Sequence, residues 1–170
     1  MMLLRHLLSV AALPFMVTVV IPIWVARRNA GRIGLGADIP AMLLQLLGTG
    51  VLGVGLVLFA SSLRRFASEG EGTLAPWDPP RKLVVRGPYR YVRNPMISGV
   101  ILILFGEALL LLSRAHFTWA LTFFAINAVY IPLFEEPQLA ARFREDYEEY
   151  RRNVPRLLPR LRPWNRAQSL

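Results

Sequence analysis

Cysteine is absent from the 170-residue sequence, and histidine occurs only at His6 and His116. A chain without cysteine forms neither disulfide bonds nor thiolate sites. Two histidines that flank different apolar stretches are a poor basis for a metal site, so we expect no metal. Acidic residues are also few: 11 Asp and Glu against 20 Lys and Arg give a formal net charge of +9. Nothing in the sequence resembles a nucleic-acid-binding module, so we expect no nucleic acid as partner.

Charge is almost missing from four long apolar stretches, in which Glu107 is the single charged residue. The stretches cover residues 7–25, 41–63, 96–113 and 117–134. Each has about the length of a helix that crosses a hydrocarbon core of ~30 Å. The hydrophobic content of 54% exceeds the ~45–50% that is usual for soluble proteins. The sequence therefore predicts an all-α, polytopic membrane protein with about four transmembrane helices, and the lipid bilayer as a partner.

Basic residues are distributed unequally around these stretches. With four spans, sixteen of the twenty Lys and Arg residues fall on the side of the two termini and four on the other side. The positive-inside rule therefore predicts that both termini lie in the cytoplasm. We expect a multi-pass protein of a bacterial-type inner membrane or an equivalent membrane. The chain length predicts a single membrane domain. Within it, residues 1–76 hold the first two spans, residues 77–164 form a second region, and 165–170 form a tail.

The sequence GTGVLG, residues 48–53, matches the G-x-G-x-x-G pattern of dinucleotide-binding folds. That function needs a strand before the glycines and a helix after them, whereas these glycines lie inside an apolar stretch. We therefore expect Gly48, Gly50, Gly53 and Gly55 to allow close packing of helices.

The third and fourth stretches are both 18 residues long, and only residues 114–116 join them. So short a connection predicts an antiparallel hairpin. Because the two helices have equal length, the chain returns to the level at which it entered. Residues 93–95 are therefore expected to face Glu135 and Glu136 across the cytoplasmic mouth of the hairpin.

Glu135 and Glu136 follow the expected end of the fourth helix, where the helix dipole disfavours anions by about 0.3–1 kcal/mol each. An arginine or a cationic ligand would offset this cost, so a binding role is one interpretation. The other is that Pro137 begins a new helix, whose first turn stabilises acidic residues. Residue chemistry alone leaves both open.

Residues 137–152 predict an amphipathic cytoplasmic helix, because apolar side chains recur at spacings of three and four. Its stripe contains Leu139, Phe143, Tyr147, Tyr150 and Val154. This helix can lie on the membrane surface or fold back as a lid over the hairpin. Proline at every fourth position excludes a regular helix in the following VPRLLPRLRPW. We expect that segment to follow the membrane interface, with Trp164 as an anchor.

The motif GPYRYVRNPMISG is followed by two apolar stretches, by EEPQLAARFREDYEEYRRNVPR and by a basic, proline-rich end. This combination resembles the isoprenylcysteine carboxyl methyltransferase and phospholipid methyltransferase superfamily, over residues 77–164. The resemblance implies an integral membrane methyltransferase that binds S-adenosylmethionine at the cytoplasmic end of the hairpin. It also implies a lipid, isoprenoid or other amphiphilic acceptor, methylated by carboxyl O- or phospholipid N-type chemistry.

The resemblance also implies which residues form the site. The cofactor is expected to contact Arg90, Tyr91, Arg93, Asn94, Pro95, Gly99, Glu135, Glu136, Tyr147, Tyr150 and Arg151. Of these, we expect Arg93, Asn94 and Glu135 to be catalytic. Two positions depart from the family pattern: Asn94 replaces the usual histidine, and Ile97 stands where tyrosine is common. Asn94 can form hydrogen bonds but cannot titrate near neutral pH.

Glu107 is an acid well inside an apolar stretch, a costly position that indicates a functional role by default. Hairpin geometry places it about one turn from Asn127 on the opposite helix. We expect Glu107 and Asn127 to contact the acceptor, and a protonated packing residue is the alternative for Glu107.

Two other functions remain open from the sequence. One is an NADPH-dependent membrane reductase of related architecture, and the other is a non-catalytic membrane scaffold. The departures at Asn94 and Ile97 favour the scaffold, whereas the short loops offer few polar residues for a dinucleotide.

Overall fold

The computed structural model describes residues 11–29, 38–69 and 82–165. These residues form helices joined by turns and extended segments, without a β-strand among them, which confirms the all-α prediction for this part of the chain. The α-helices in chain order are α1 (Ile21–Arg28), α2 (Ile39–Glu69), α3 (Pro95–Leu110), α4 (Arg114–Tyr130) and α5 (Glu136–Asn153). Two π-helical segments, Ala11–Val20 and Ile131–Glu135, and a short 3-10 helix, Gly87–Arg90, complete the helical set of the described ranges.

Two continuous helices are long and apolar enough to cross a membrane. One is α2, with 31 residues, and the other is Arg114–Asn153, with 40 residues, in which the π-helical turn joins α4 to α5. Only 11% of the most apolar part of each is buried inside the protein, unlike the core helix of a soluble fold. α3 is shorter, with 16 residues. The first apolar stretch begins at residue 7, and its residues 7–10 lie outside the described ranges. The count of four spans and the hairpin stay predictions.

The paired acids do not follow a helix end, contrary to our expectation. Pro132 has no N–H to donate to the carbonyl four residues earlier, and here the helix widens into a π turn instead of ending. α5 then begins at Glu136, one residue before Pro137, whose missing N–H is tolerated in a first helical turn. The unfavourable dipole of a helix C-terminus therefore does not act on Glu135 and Glu136.

The chain forms two compact units. The first combines Met1–Val57 with Gly99–Ile126, and the second combines Leu58–Ser98 with Asn127–Leu170. Each unit thus contains segments that are far apart in the sequence. The single membrane domain stays a prediction.

Glycines bring α2 and α3 into close contact in the first unit. A β-carbon at Gly55 would lie 2.8 Å from the backbone nitrogen of Ile103 and 2.9 Å from the carbonyl oxygen of Gly99. From the other helix, a β-carbon at Gly106 would lie 2.6 Å from the backbone nitrogen of Leu52. Only glycine allows two helix backbones to approach this closely.

The glycines of α2 do not all take part. A β-carbon at Gly48 would lie 2.6 Å from the backbone nitrogen of Leu110, whereas Gly50 and Gly53 have nothing within 4 Å. The packing prediction is therefore confirmed for Gly48 and Gly55 and wrong for Gly50 and Gly53. Positions seven residues apart complete about two turns of a helix and share a face, and the other two glycines point elsewhere.

The first unit also holds the beginning of the described chain against α4. The ring of His116 is buried, with Nδ1 2.8 Å from Oγ of Ser113 and Nε2 3.1 Å from the carbonyl oxygen of Pro22. Nearby, Trp119 donates its indole N–H to the carbonyl oxygen of Val17 at 3.2 Å. Both ring nitrogens of His116 thus lie within hydrogen-bond distance of a partner in this unit.

The second unit has a core formed by the apolar stripe of α5. Tyr147, Tyr150 and Val154 are almost completely buried and pack with Trp164, Leu83 and Val85. The stripe therefore faces the core of the second unit, and the lid over the hairpin stays a prediction. α5 is also kinked at Arg144, where φ is +48°.

Residues 154–164, which we call the C-terminal clasp, wrap around the segment before α3. Four backbone hydrogen bonds of 2.8–3.2 Å fix it: Arg93 N to Pro155 O, Asn94 N to Arg156 O, Arg160 N to Tyr91 O and Trp164 N to Arg90 O. The ring of Trp164 is 7% exposed and lies 5.9 Å from that of Tyr150. The prediction of Trp164 as a membrane anchor is wrong, because its indole belongs to the core of the second unit.

We expect Gly55→Ala to lower the free energy of unfolding by about 1–3 kcal/mol, because the added methyl group overpacks the contact with α3. Gly53→Ala is the matched control, since it has open space and gains roughly 1 kcal/mol of helix propensity. Thermal unfolding of both variants in one detergent measures the difference. Equal melting temperatures would contradict the close approach of α2 and α3.

Candidate active site

A tight turn leads the chain into the site. Pro88 favours the 3-10 helix Gly87–Arg90 through its fixed φ, and Gly87 adopts a φ of +56° that glycine tolerates. The turn directs Tyr89 inward, so that it is 8% exposed. The hydroxyl of Tyr150 donates to the carbonyl oxygen of Tyr89 at 2.6 Å, which ties the turn to α5.

Arg93 and Glu136 form a buried ion pair in the second unit. The Nη1 atom of Arg93 lies 2.8 Å from Oε1 of Glu136, and the two side chains are 8% and 5% exposed. The same Nη1 donates to the hydroxyl of Tyr147 at 3.4 Å. The expected proximity of the segment 93–95 to the paired acids is therefore present at Arg93 and Glu136.

Arg156 completes this cluster, and the sequence did not single it out. Its Nε donates to Oε1 of Glu136 at 2.6 Å, and its Nη2 donates to Oε2 at 2.9 Å. A guanidinium group fits a carboxylate in this two-pronged way. The available signal was its position two residues after Val154, the last member of the buried stripe. We define Arg93, Glu136 and Arg156 as the charged cluster.

The charged cluster determines the ionisation of Glu136, which lies beyond the apolar stretch 117–134. Burial acts to raise the pKa of Glu136, but the hydrogen bonds from Arg156 and the positive charges of Arg93, Arg156 and Arg151 outweigh it, so the pKa falls below its usual value. The same contact raises the pKa of Arg156. Glu136 therefore stays ionised, and two cations surround one anion.

Glu135 has a different environment from its neighbour. Burial, and then the negative charge of Glu136, raise the pKa of Glu135 to about 6. Its carboxyl group has no hydrogen bond or ion pair with the described residues. Burial and the negative charge of Glu135 also raise the pKa of Tyr89, which places the two side chains in one electrostatic environment. Glu135 is thus the acid with uncommitted oxygens.

Two buried polar atoms of this unit lack a hydrogen-bond partner among the described residues. They are the hydroxyl oxygen of Tyr89 and Nε of Arg93. An unsatisfied buried polar group costs about 1–3 kcal/mol, and native structures contain few of them. Together with the free carboxyl group of Glu135, they form a set of donors and acceptors that a polar ligand can satisfy.

The remaining residues of the motif hold the backbone in place. Arg90 donates its Nε–H to the carbonyl oxygen of Trp164 at 2.8 Å. Tyr91 is 37% exposed. The backbone carbonyl oxygen of Asn94 accepts the N–H of Ser98 at 2.9 Å, where α3 begins. Pro95 is fully buried at the first position of α3. Cofactor contacts by Arg90, Tyr91, Asn94 and Pro95, and a catalytic role of Asn94, stay predictions.

Three further predicted cofactor residues are also placed by the structure. Gly99 contributes to the close contact with Gly55 in the first unit. Arg151 forms an exposed ion pair with Glu148 at 3.2 Å, while Tyr150 directs its hydroxyl to the backbone of Tyr89. The structure thus unites Arg93, Glu136 and Tyr147 in direct contact and leaves Arg151 on the surface.

The two predicted acceptor residues belong to different units. Glu107 lies on α3 in the first unit, where its Oε2 is buried without a partner among the described residues. Asn127 lies on α4 in the second unit and is 9% exposed. Their contact with an acceptor stays a prediction.

Comparisons with known proteins agree with these observations. A family model described as Phospholipid methyltransferase matches residues 43–146, which include Arg93 and Glu136. Methanethiol S-methyltransferase 2 of Bradyrhizobium diazoefficiens is 36% identical over 73 residues, which cover 43% of this chain and 27% of that protein. Methanethiol S-methyltransferase of Crocosphaera subtropica is 32% identical over 80 residues, 47% of this chain and 30% of that protein.

The matched segment thus spans less than a third of the length of each curated relative. No solved structure matches the chain. The family model, in contrast, covers more than half of the 170 residues. The chain therefore belongs to the phospholipid methyltransferase family.

Proposed function

We propose that this protein transfers a methyl group from S-adenosylmethionine to a lipid, isoprenoid or other amphiphilic acceptor. The observation that carries the proposal is a pair of buried polar atoms in the second unit without partners among the described residues: Nε of Arg93, which belongs to the charged cluster, and the hydroxyl of Tyr89, whose pKa the charge of Glu135 helps to raise. It lies in a chain of a methyltransferase family that has two helices apolar enough for a membrane.

The chemistry of the donor set fits S-adenosylmethionine, which carries an ammonium group, a carboxylate and ribose hydroxyls. Arg93 would hold the carboxylate through its free Nε, since a guanidinium group binds carboxylates well. The hydroxyl of Tyr89 would bond a ribose hydroxyl or the adenine. Glu136, ionised and fixed by two arginines, would orient Arg93 toward the ligand.

Bound S-adenosylmethionine would supply a methyl group activated by its positive sulfur. The protein then has to position the acceptor in line with that group, which is where most of the rate enhancement comes from in a displacement of this kind. An acceptor S–H, N–H or O–H must also lose its proton as the new bond to carbon forms. Glu135, with uncommitted oxygens and a pKa raised to about 6, would accept that proton.

The acceptor is expected to be soluble in the membrane, because the chain has two helices that are long and apolar enough to cross one. The two curated relatives are named for methanethiol, a small apolar thiol. We therefore add thiols to the acceptors that merit a test. Glu107 and Asn127 remain our proposed contacts for the acceptor.

We further infer that the site faces the cytoplasm. The charged cluster lies among the basic residues that follow the second and fourth apolar stretches, on the side that the positive-inside rule assigns to the cytoplasm. S-adenosylmethionine would then enter from water, while the acceptor enters from the bilayer.

We expect Tyr89→Phe to weaken the binding of S-adenosylmethionine about tenfold, the equivalent of one hydrogen bond of ~1.4 kcal/mol. The free protein should not be destabilised, because this hydroxyl has no partner there. Tyr150→Phe is the matched control: it removes a formed hydrogen bond and should lower the free energy of unfolding by about 0.5–1.5 kcal/mol. Calorimetry and thermal unfolding measure both effects. Unchanged affinity in Tyr89→Phe would contradict a role in binding.

We expect the rate of methyl transfer to fall as the pH drops through about 6, because Glu135 is then protonated and cannot accept a proton. Glu135→Gln should lower kcat by roughly 100-fold or more and remove this pH dependence. Glu145→Gln, an exposed acid on α5, is the control and should behave as the wild type. If Glu135→Gln changes only the KM of S-adenosylmethionine, Glu135 binds the cofactor and is not the base.

The function itself is tested with the full chain in liposomes and S-adenosylmethionine that carries a labelled methyl group. One reaction contains a membrane lipid extract, and a second contains methanethiol or a longer alkyl thiol. We expect a labelled product in at least one of them, and its identity gives the receiving atom. Binding of NADPH without binding of S-adenosylmethionine would overturn the proposal and favour a reductase, and binding of neither would favour a scaffold.

A further inference from the structure

The C-terminal clasp exposes apolar side chains although its backbone is fixed. Leu161 is 99% exposed and Leu158 is 80% exposed. The clasp is not a loose end, because its backbone carbonyl at Leu157 accepts the hydroxyl of Ser98 at 3.0 Å and the N–H of Arg160 bonds the carbonyl oxygen of Tyr91. A segment held in this way presents the two leucines permanently to its surroundings.

Arg160 explains why its neighbours point outward. It is half-buried, and its Nη1 donates to the carbonyl oxygen of Asn153 at 2.7 Å, so both its backbone and its side chain bond the second unit. On either side, Leu158, Pro159, Leu161 and Arg162 are all exposed. The clasp therefore has two inward arginines, Arg156 and Arg160, and an outward surface that includes Leu158, Leu161 and Arg162.

In the sequence, Arg162 follows Leu161 directly and Arg152 precedes the clasp by two residues. Arg162 and Arg152 are exposed and have no ion pair among the described residues. Exposed leucines flanked by free arginines match the composition of segments that lie in a bilayer interface, with apolar side chains among the acyl chains and cations at anionic headgroups. A protein partner of the same shape would have to supply both an apolar groove and acidic residues.

We propose that Leu158 and Leu161 insert into the headgroup region of an anionic bilayer, and that Arg152 and Arg162 bind its phosphate groups. The membrane contact is therefore made by these leucines and not by Trp164, which is buried. Because the same clasp supplies Arg156 to Glu136, insertion also holds the charged cluster next to the membrane surface. An acceptor dissolved in the bilayer then has a short path to it.

The absence of cysteine permits a direct measurement of depth. Leu161→Cys, labelled with an environment-sensitive fluorophore, is reconstituted as the full chain in liposomes of phosphatidylcholine with or without phosphatidylglycerol. Lipids with a nitroxide near the headgroup serve as the quencher. Glu145→Cys, exposed on the polar face of α5, is the matched control. Neither substitution removes a packed side chain, so both variants should fold.

We expect the label at position 161 to show blue-shifted emission and strong quenching by the nitroxide lipids, and the label at position 145 to show neither. Adding Arg162→Gln to Leu161→Cys should reduce the quenching in phosphatidylglycerol liposomes and leave it unchanged in phosphatidylcholine. An unshifted, unquenched label at position 161 would overturn the proposal. A blue-shifted label that lipid nitroxides do not reach would also overturn it and assign the surface to another protein chain. These readouts do not involve methyl transfer, so they stand apart from the test of the proposed function.

Discussion

The carboxylate of Glu136, held between the guanidinium groups of Arg93 and Arg156, is the contact on which the second unit depends. A buried carboxylate loses several kcal/mol of hydration, and only close cations and good hydrogen bonds compensate it. Arg93 precedes α3, Glu136 begins α5 and Arg156 belongs to the C-terminal clasp. One acid therefore joins three segments that are far apart in the sequence. Removal of Glu136 leaves the buried guanidinium group of Arg93 without its carboxylate, and an unpaired buried charge typically costs about 3–5 kcal/mol.

The same arrangement separates the tasks of the two neighbouring acids. Consecutive residues of a helix point about 100° apart, so only one of them can face the two arginines. Glu136 faces them, and both of its carboxylate oxygens accept hydrogen bonds from Arg156. Glu135 lies at the end of the π turn, and its oxygens have no partner among the described residues. The π turn also allows the helix to continue past Pro132, so that both acids are presented from one continuous helix. Two adjacent glutamates thus provide one fixed anion and one acid whose oxygens have no partner among the described residues.

The parts of this structure that could be predicted from the sequence are those set by periodicity and by single charges. The stripe of α5 was readable from its spacing, and the proximity of Arg93 to the acids followed from helix lengths. The role of Arg156 was not readable, because it depends on how an irregular, proline-rich segment folds back, and no repeat fixes that path. The position of Trp164 was not readable for the same reason, because it lies in that segment. The helix end expected before Glu135 was wrong for another reason: a proline such as Pro132 can end a helix or widen it, and the choice depends on tertiary contacts.

Two tyrosines in contact leave one buried hydroxyl group without a partner among the described residues. The hydroxyl of Tyr150 donates a hydrogen bond to the carbonyl oxygen of Tyr89, and this bond fixes the turn in which Tyr89 is buried. The hydroxyl of Tyr89 is thereby enclosed without a partner of its own. A fold selected for stability alone would gain by replacing that hydroxyl with hydrogen, since an unsatisfied buried group is unfavourable. Its presence in the same unit as the unpartnered Nε of Arg93 is the reason that we propose a bound molecule that supplies the missing partners.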